Sequence, residues 1–193
     1  MSERTDIGTD RLGFYTLGGH VESPLDMLDE LALAESMGLG QAFISERLNV
    51  KEACALSGAA GAATSTIGIT TAATNINTRH PAITAAFATT MHRLTSGRFA
   101  LGIGRGLRPQ IAGLGLTQTT TEQMEEFAHL MRRLWRGEVI VDYDGPLGRF
   151  PKLALDPTFD EHRDGAILFL RQSLLELADH KIFRPADLAL IGL

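Results

Sequence analysis

The sequence predicts an α/β fold built on a parallel sheet, and three observations carry that prediction. Short β-branched or apolar runs alternate with helical-period segments four times between residues 12 and 136. Glycine follows the expected helix ends at Gly38 and Gly97, just before the next apolar run. Polar or glycine-rich loops follow the strands, which is where open α/β folds place their chemistry. Repeated βα units of this kind imply parallel strands joined by right-handed crossovers.

Taken in order, residues 1–10 are polar and read as a flexible N-terminal tail. Residues 12–17 read as the first strand, ending at Gly18-Gly19. Ser23 is placed to cap the first helix, with Pro24 at its first position, where a missing N–H costs nothing. Leu25, Leu28, Leu31 and Ala32 form its apolar stripe, and Asp26, Asp29 and Glu30 suit its positive end. Residues 41–45 form a short second strand with a polar end, Glu46-Arg47. Asn49 and Glu52 stand at capping-box spacing before an Ala-rich helix over 50–63.

Residues 67–73 are rich in Thr and Ile and predict the third strand. His80-Pro81 opens the third helix. Residues 98–103 predict the fourth strand, with Gly102, Gly104 and Gly106 marking the loop beyond it. Residues 119–136 predict a strongly amphipathic helix. Met124, Phe127, Met131, Leu134 and Trp135 lie on one face, and Glu122, Glu125, Glu126, Arg132 and Arg133 on the other. Residues 139–143, a turn at Asp144-Gly145, and residues 147–155 predict a small hairpin. A helix over 164–180 and a short apolar end follow, without a fifth βα unit like the first four. The division expected is thus a tail over 1–10, an α/β unit over 11–160 and a divergent helical tail over 161–193.

Composition narrows the function classes. The net charge of −5 leaves no basic footprint for nucleic acid. Cys54 is the single cysteine, so no internal disulfide forms and a reducing compartment fits. The N-terminus lacks the apolar stretch of a signal peptide, and no run approaches the ~18 apolar residues of a membrane span. A cytoplasmic protein is expected. His20, His92, His129, His162 and His180 show no metal-ligand spacing, so no metal is expected.

Residues 74–106 carry Arg79-His80-Pro81, a helix, Ser96-Gly97-Arg98 and a strand ending in Leu101-Gly102-Ile103-Gly104-Arg105-Gly106. In that order and spacing they resemble the bacterial luciferase-like monooxygenase family, which includes flavin monooxygenases and oxidoreductases using coenzyme F-420. Residues 28–47 resemble the family's first helix and second strand, and residues 124–145 its fourth helix and the hairpin after it. The resemblance covers about residues 11–155. It implies a TIM-type (β/α)₈ barrel of which this chain would hold about four βα units, since such barrels need ~250 residues. A truncated or frame-shifted sequence, or a shortened relative, is the expectation. The activity implied is hydride transfer or monooxygenation on a small-molecule substrate, with F-420 as cofactor and FMN as the alternative.

The resemblance also nominates cofactor-binding residues. Thr71, Ala72 and Ala73 end the third strand, where the family often carries a non-prolyl cis peptide that presses backbone against the ring; here the bond would be Ala72–Ala73. Glu46 keeps the acid that the family often places at the end of the second strand, but Arg47 replaces the usual His. Arg stays charged and is no proton shuttle. It would pair with an anionic ring or substrate, or simply with Glu46 as a solvated ion pair. Asn75 would hydrogen-bond a ring carbonyl or serve the turn. Gly104 and Gly106, with Gly102 before them, would let backbone approach the cofactor or its side chain. They do not make a dinucleotide fingerprint, because Leu107 stands where a glycine is needed and no helix is expected directly after it.

Some F-420 relatives have an acid after this motif; here Leu107, Arg108 and Pro109 follow. Arg105 or Arg108 would contact a phosphate or acidic tail, or be solvated. His80 is expected to open the helix rather than to catalyse, Arg98 to be an internal ion-pair partner, and Tyr15 to be a half-buried core residue or to line a pocket. No residue is singled out as catalytic. Two other readings stay open. One is a non-catalytic half barrel that associates through its open edges as a homodimer. The other is a small doubly wound domain with a switch-point site.

Overall fold

Each of the four short apolar segments finds a parallel neighbour, and the helices between them cover one face of the resulting sheet. The computed structural model describes residues 8–19 and 22–156. A single 3₁₀ turn, Thr9–Arg11, leads into β1 (Gly13–Tyr15), followed by α1 (Asp26–Ser36), β2 (Gln41–Ile44) and α2 (Ala53–Ala63). Next come β3 (Gly68–Thr71), β4 (Thr74–Asn75), α3 (Pro81–Leu94), β5 (Phe99–Ala100) and β6 (Ile103–Gly104). The remainder is α4 (Arg108–Gly113), α5 (Thr121–Trp135) and the hairpin β7 (Ile140–Gly145) and β8 (Gly148–Leu153).

The main sheet has the order β1-β2-β3-β5, all parallel. The short pair β4 and β6 continues the β3 and β5 strands beyond a break. The predicted α/β architecture with parallel βα units is therefore present. Among the described residues no helix is long and apolar enough to cross a membrane.

The two faces of the sheet differ sharply. Ala42, Ile44, Ile69 and Phe99 are buried in one core with Met27 and Leu31 of α1, Leu56 of α2 and Met91 of α3. Helix α5 adds Phe127, Leu130, Met131 and Leu134, and the Trp135 indole donates to the Ala85 carbonyl of α3 at 3.1 Å. The other face carries the register Gly13, Gln41, Gly68 and the register Tyr15, Phe43, Thr70, Ala100. Tyr15 lies against Phe43 with ring centroids 5.3 Å apart and remains 46% exposed. A strand alternates its side chains between faces, so the helices bury one set and leave the other half open.

Several local expectations shift. Helix α1 starts at Asp26 after Leu25, without a side-chain cap. Ser23 instead accepts from Leu25 N, and Asp26 N reaches the Ser23 carbonyl at 3.3 Å, so Ser23–Pro24–Leu25 is a turn before the helix. Glu52 itself caps α2, accepting from Ala55 N at 2.7 Å, rather than serving as the inner member of a capping box with Asn49. The hairpin turns at Pro146-Leu147, because Gly145 pairs with Gly148; proline's fixed φ suits the first corner of such a turn. A short helix, α4, does follow the glycine loop, with Pro109 in its first turn. The helix expected over 164–180, like the rest of the 161–193 tail, lies outside the described residues.

Two polar staples close the end of the sheet where the strands begin. Arg98 donates to the carbonyls of Ile67, Thr64 and Gly61 and to Thr64 Oγ1, so its partners are neutral oxygens rather than the expected carboxylate. Glu35 Oε1 accepts from Ser65 N, Thr66 N, Ile67 N and Thr66 Oγ1. Burial would raise the Glu35 carboxyl, but the hydrogen bonds from Ile67, Thr66 and Ser65 outweigh it and lower it to about 2. A carboxyl depressed in the folded state stabilises above its ordinary value and loses that contribution as pH falls toward the folded one. Glu35→Gln is therefore expected to lower stability by about 1 kcal/mol at pH 7, a figure reduced for solvent screening. In urea melts the gap between the two proteins should narrow between pH 4.5 and about 2.

Candidate functional site

At the opposite end of the sheet, β3 stops at Thr71 and the Ala72–Ala73 peptide is cis, at the bond expected. The loop formed here is tied to both neighbouring strands. Ala72 N donates to the Ile44 carbonyl at 2.7 Å, and Glu46 N to the Ala73 carbonyl at 3.4 Å. On the other side, Thr74 N donates to the Gly102 carbonyl at 2.9 Å. The buried Thr71 hydroxyl replaces the missing ladder bonds: it donates to Gly102 O and accepts from Gly102 N, each at 2.9 Å.

Beyond the break, Thr74 pairs with Ile103 and Asn75 with Gly104. Small residues then face one another across two strands. A Cβ on Gly104 would lie 2.9 Å from Ala73 Cβ, and one on Gly106 would lie 2.6 Å from Asn75 Oδ1. Gly106 also has φ +69°, a region that side chains disfavour. Asn75 is buried, and its carboxamide Oδ1 has no hydrogen-bond partner. The result is a low, nearly side-chain-free ledge at the strand ends, with a carboxamide set into it.

Glu46 lies beneath this ledge. Its side chain is only 2% exposed and pairs with Arg79. Glu46 Oε2 also accepts from Thr74 Oγ1 at 2.8 Å and from Asn75 N at 3.0 Å. Burial alone would raise this carboxyl, but hydrogen bonds from Arg79, Asn75 N and Thr74, with the Arg79 charge, hold it below the ordinary range. Arg79 further reaches Glu52, whose own side chain is half exposed, and Thr74 Oγ1 at 2.6 Å. Burial pushes the nearby Cys54 thiol up to about 12, against the opposing charge of Arg79, so it is not a thiolate at neutral pH.

Arg47 does not pair with Glu46: its guanidinium donates to the Gly19 carbonyl within the first βα loop. Lys51 is buried beside it, with Nζ on the carbonyls of Leu17 at 2.8 Å and Thr16 at 3.3 Å. Burial, then the Arg47 charge, lowers its ammonium below the ordinary value, against the attraction of Glu30. Glu30 in turn accepts from Thr16 Oγ1 and Leu17 N. A cleft of about 530 Å³ opens between the second and third βα loops, lined by Glu46, Val50, Glu52, Arg79 and Leu114 among others.

The structure thus brings Glu46, Thr71, Ala72, Ala73, Asn75, Gly104 and Gly106 together and sends the Arg47 head group toward the first loop. His80 caps α3, accepting from Ala82 N through Nδ1 at 3.3 Å, and stacks edge-on against Phe150. Arg105 hydrogen-bonds Thr121 of α5. Among the described residues no group of three or more His, Cys, Asp or Glu side chains is arranged to hold a metal ion. Sequence reasoning gave Arg79 no role of its own. A lone Arg before a capped helix N-terminus was the available signal for Arg79, since a cation there needs an acidic partner from elsewhere.

A model of the luciferase-like monooxygenase family matches residues 10–161. A 5,10-methylenetetrahydromethanopterin reductase of Archaeoglobus fulgidus is 30% identical over 128 residues, covering 65% of this chain and 38% of the reductase. The coenzyme F420 dependent tetrahydromethanopterin reductase of Methanopyrus kandleri superposes with a TM-score of 0.65 at 22% identity, covering 75% of this chain and 45% of that one. An F420-dependent secondary alcohol dehydrogenase in complex with an F420–acetone adduct superposes with a TM-score of 0.61 at 25% identity, covering 74% of this chain and 46% of that one. The chain therefore spans less than half the length of each of these three proteins.

Proposed function

Because the chain belongs to the luciferase-like monooxygenase family, we propose that its ledge at Ala72, Ala73, Asn75, Gly104 and Gly106 is one wall of a site for coenzyme F-420, with FMN as the alternative, in an oxidoreductase acting on a small organic substrate. The observation that carries this reading is the ledge itself. Ala73, between β3 and β4, meets Gly104 of β6, and Gly106 just beyond it packs against Asn75 and Ile111, so a flat ring over Ala73 and Gly104 would meet mostly backbone. The likeness to an F420-dependent alcohol dehydrogenase favours the deazaflavin.

When bound, such a ring supplies the hydride chemistry, while the protein supplies position and electrostatics. Asn75 offers a recognition group on the ledge: its Oδ1 is buried against Gly106, and its amide N–H₂ would donate to a ring carbonyl. Thr71 and Glu46 hold the ledge from behind rather than reaching over it. Arg47 stands at the first loop as a fixed positive charge for an anionic substrate or ring.

Fluorescence titration of the full chain with F-420 and with FMN tests the proposal. Saturable binding of at least one, tighter for F-420, is expected. Binding of neither would overturn it.

A further inference from the structure

The geometry points to Arg79 as a positioning residue for the ledge: by pairing with the buried Glu46 it keeps that carboxylate gripping Thr74 Oγ1 and Asn75 N–H, and so aims the Asn75 carboxamide. A carboxylate only 2% exposed is costly to keep charged without a partner. Arg79 supplies that partner, and its planar fork serves several acceptors at once: the Glu46 and Glu52 carboxylates and Thr74 Oγ1. Glu46 spends Oε2 on Thr74 and on the Asn75 amide, while its own N–H holds the Ala73 carbonyl.

The pair therefore ties the end of β2, the starts of α2 and α3, and β4 into one unit. The charged groups around Glu46 are few. Arg79 faces it from the segment before α3, and Glu52 and Cys54 from the start of α2. The ammonium of Lys51 and the guanidinium of Arg47 are turned to carbonyls of the first βα loop. With the Arg79 charge removed, Glu46 faces an acid and a protonated thiol. Its grip on Asn75 would then depend on pH, which the paired form does not show near neutrality.

The inference rests on the proposed cofactor wall only for its ligand readout. The test uses the full chain and measures hydrogen exchange at the Asn75 amide, referred to the Ile69 amide of β3 in the same sample. In Arg79→Gln, Asn75 exchange relative to Ile69 is expected to rise at least tenfold at pH 8 and to return within threefold of wild type at pH 5, because a buried carboxylate that has lost its cation takes up a proton more readily. F-420 affinity should weaken at least tenfold at pH 8 and recover in parallel. Arg79→Lys, which keeps the charge, should show no such pH dependence, and it carries the test if the Gln variant does not fold. Unchanged Asn75 exchange at pH 8, a loss that does not recover at pH 5, or a Lys variant behaving like the Gln variant would overturn the inference. A wild-type chain that binds neither ring removes the cofactor reading and leaves the exchange result to decide the role of Arg79.

Discussion

Gly102→Ala is expected to destabilise the protein by about 4 kcal/mol or more, a large share of the stability of an ordinary domain. The added Cβ would overlap the Thr71 carbonyl oxygen, which is backbone in a central strand and has no rotamer by which to escape. Gly102 is buried, its N–H and C=O are both engaged by the Thr71 hydroxyl, and its carbonyl also accepts from Thr74 N. Overpacking at a flexible side chain costs a few kcal/mol. Here β5 and β6 would have to move off β3 and β4 together. Urea unfolding by circular dichroism measures the loss, and a variant within about 1 kcal/mol of wild type would show that the two strands are less closely joined than the structure has them.

Thr71→Val is the second large effect, at about 2–3 kcal/mol. Valine keeps the shape but removes the oxygen that Gly102 N uses as its acceptor and that donates to Gly102 O. Thr71 is fully buried, so no water substitutes without rearrangement. The Gly102 carbonyl retains Thr74 N, which is why the cost falls on the N–H. Thr71→Ser keeps the hydroxyl and should cost only about 1 kcal/mol for the lost methyl group. If Val and Ser variants melted alike in urea, the hydroxyl stitch would carry no weight.

The sequence made the long helices legible because their signals are local. The amphipathic face of α5 is bounded by a Thr120 and Gln123 capping box, and α3 opens on His80-Pro81. The strands were legible as segments but not as interrupted ones. Residues 67–73 and 98–103 read as continuous, whereas the structure breaks them at Ala72–Ala73 and after Ala100. No propensity encodes such a break, and only the family resemblance placed the cis bond.

Glu46 shows the limit most clearly. Its place at the end of β2 was legible, but its partner Arg79 is 33 residues away and meets it only through the crossover geometry of α2 and β3. The adjacent Arg47, the obvious partner in sequence, points to another loop. Ser23 failed as a cap for the opposite reason: a local signal was correct in chemistry, but Pro24 and Leu25 used it for a turn.

The most direct measurement of the central claim is an amide chemical-shift map of the full chain titrated with F-420, and then with FMN. The largest shifts are expected on Ala72, Ala73, Asn75, Gly104 and Gly106 at the strand ends. The Glu35 and Arg98 staples at the other end of the sheet should stay still. Shifts centred on those staples, or no shifts with either ring, would contradict it.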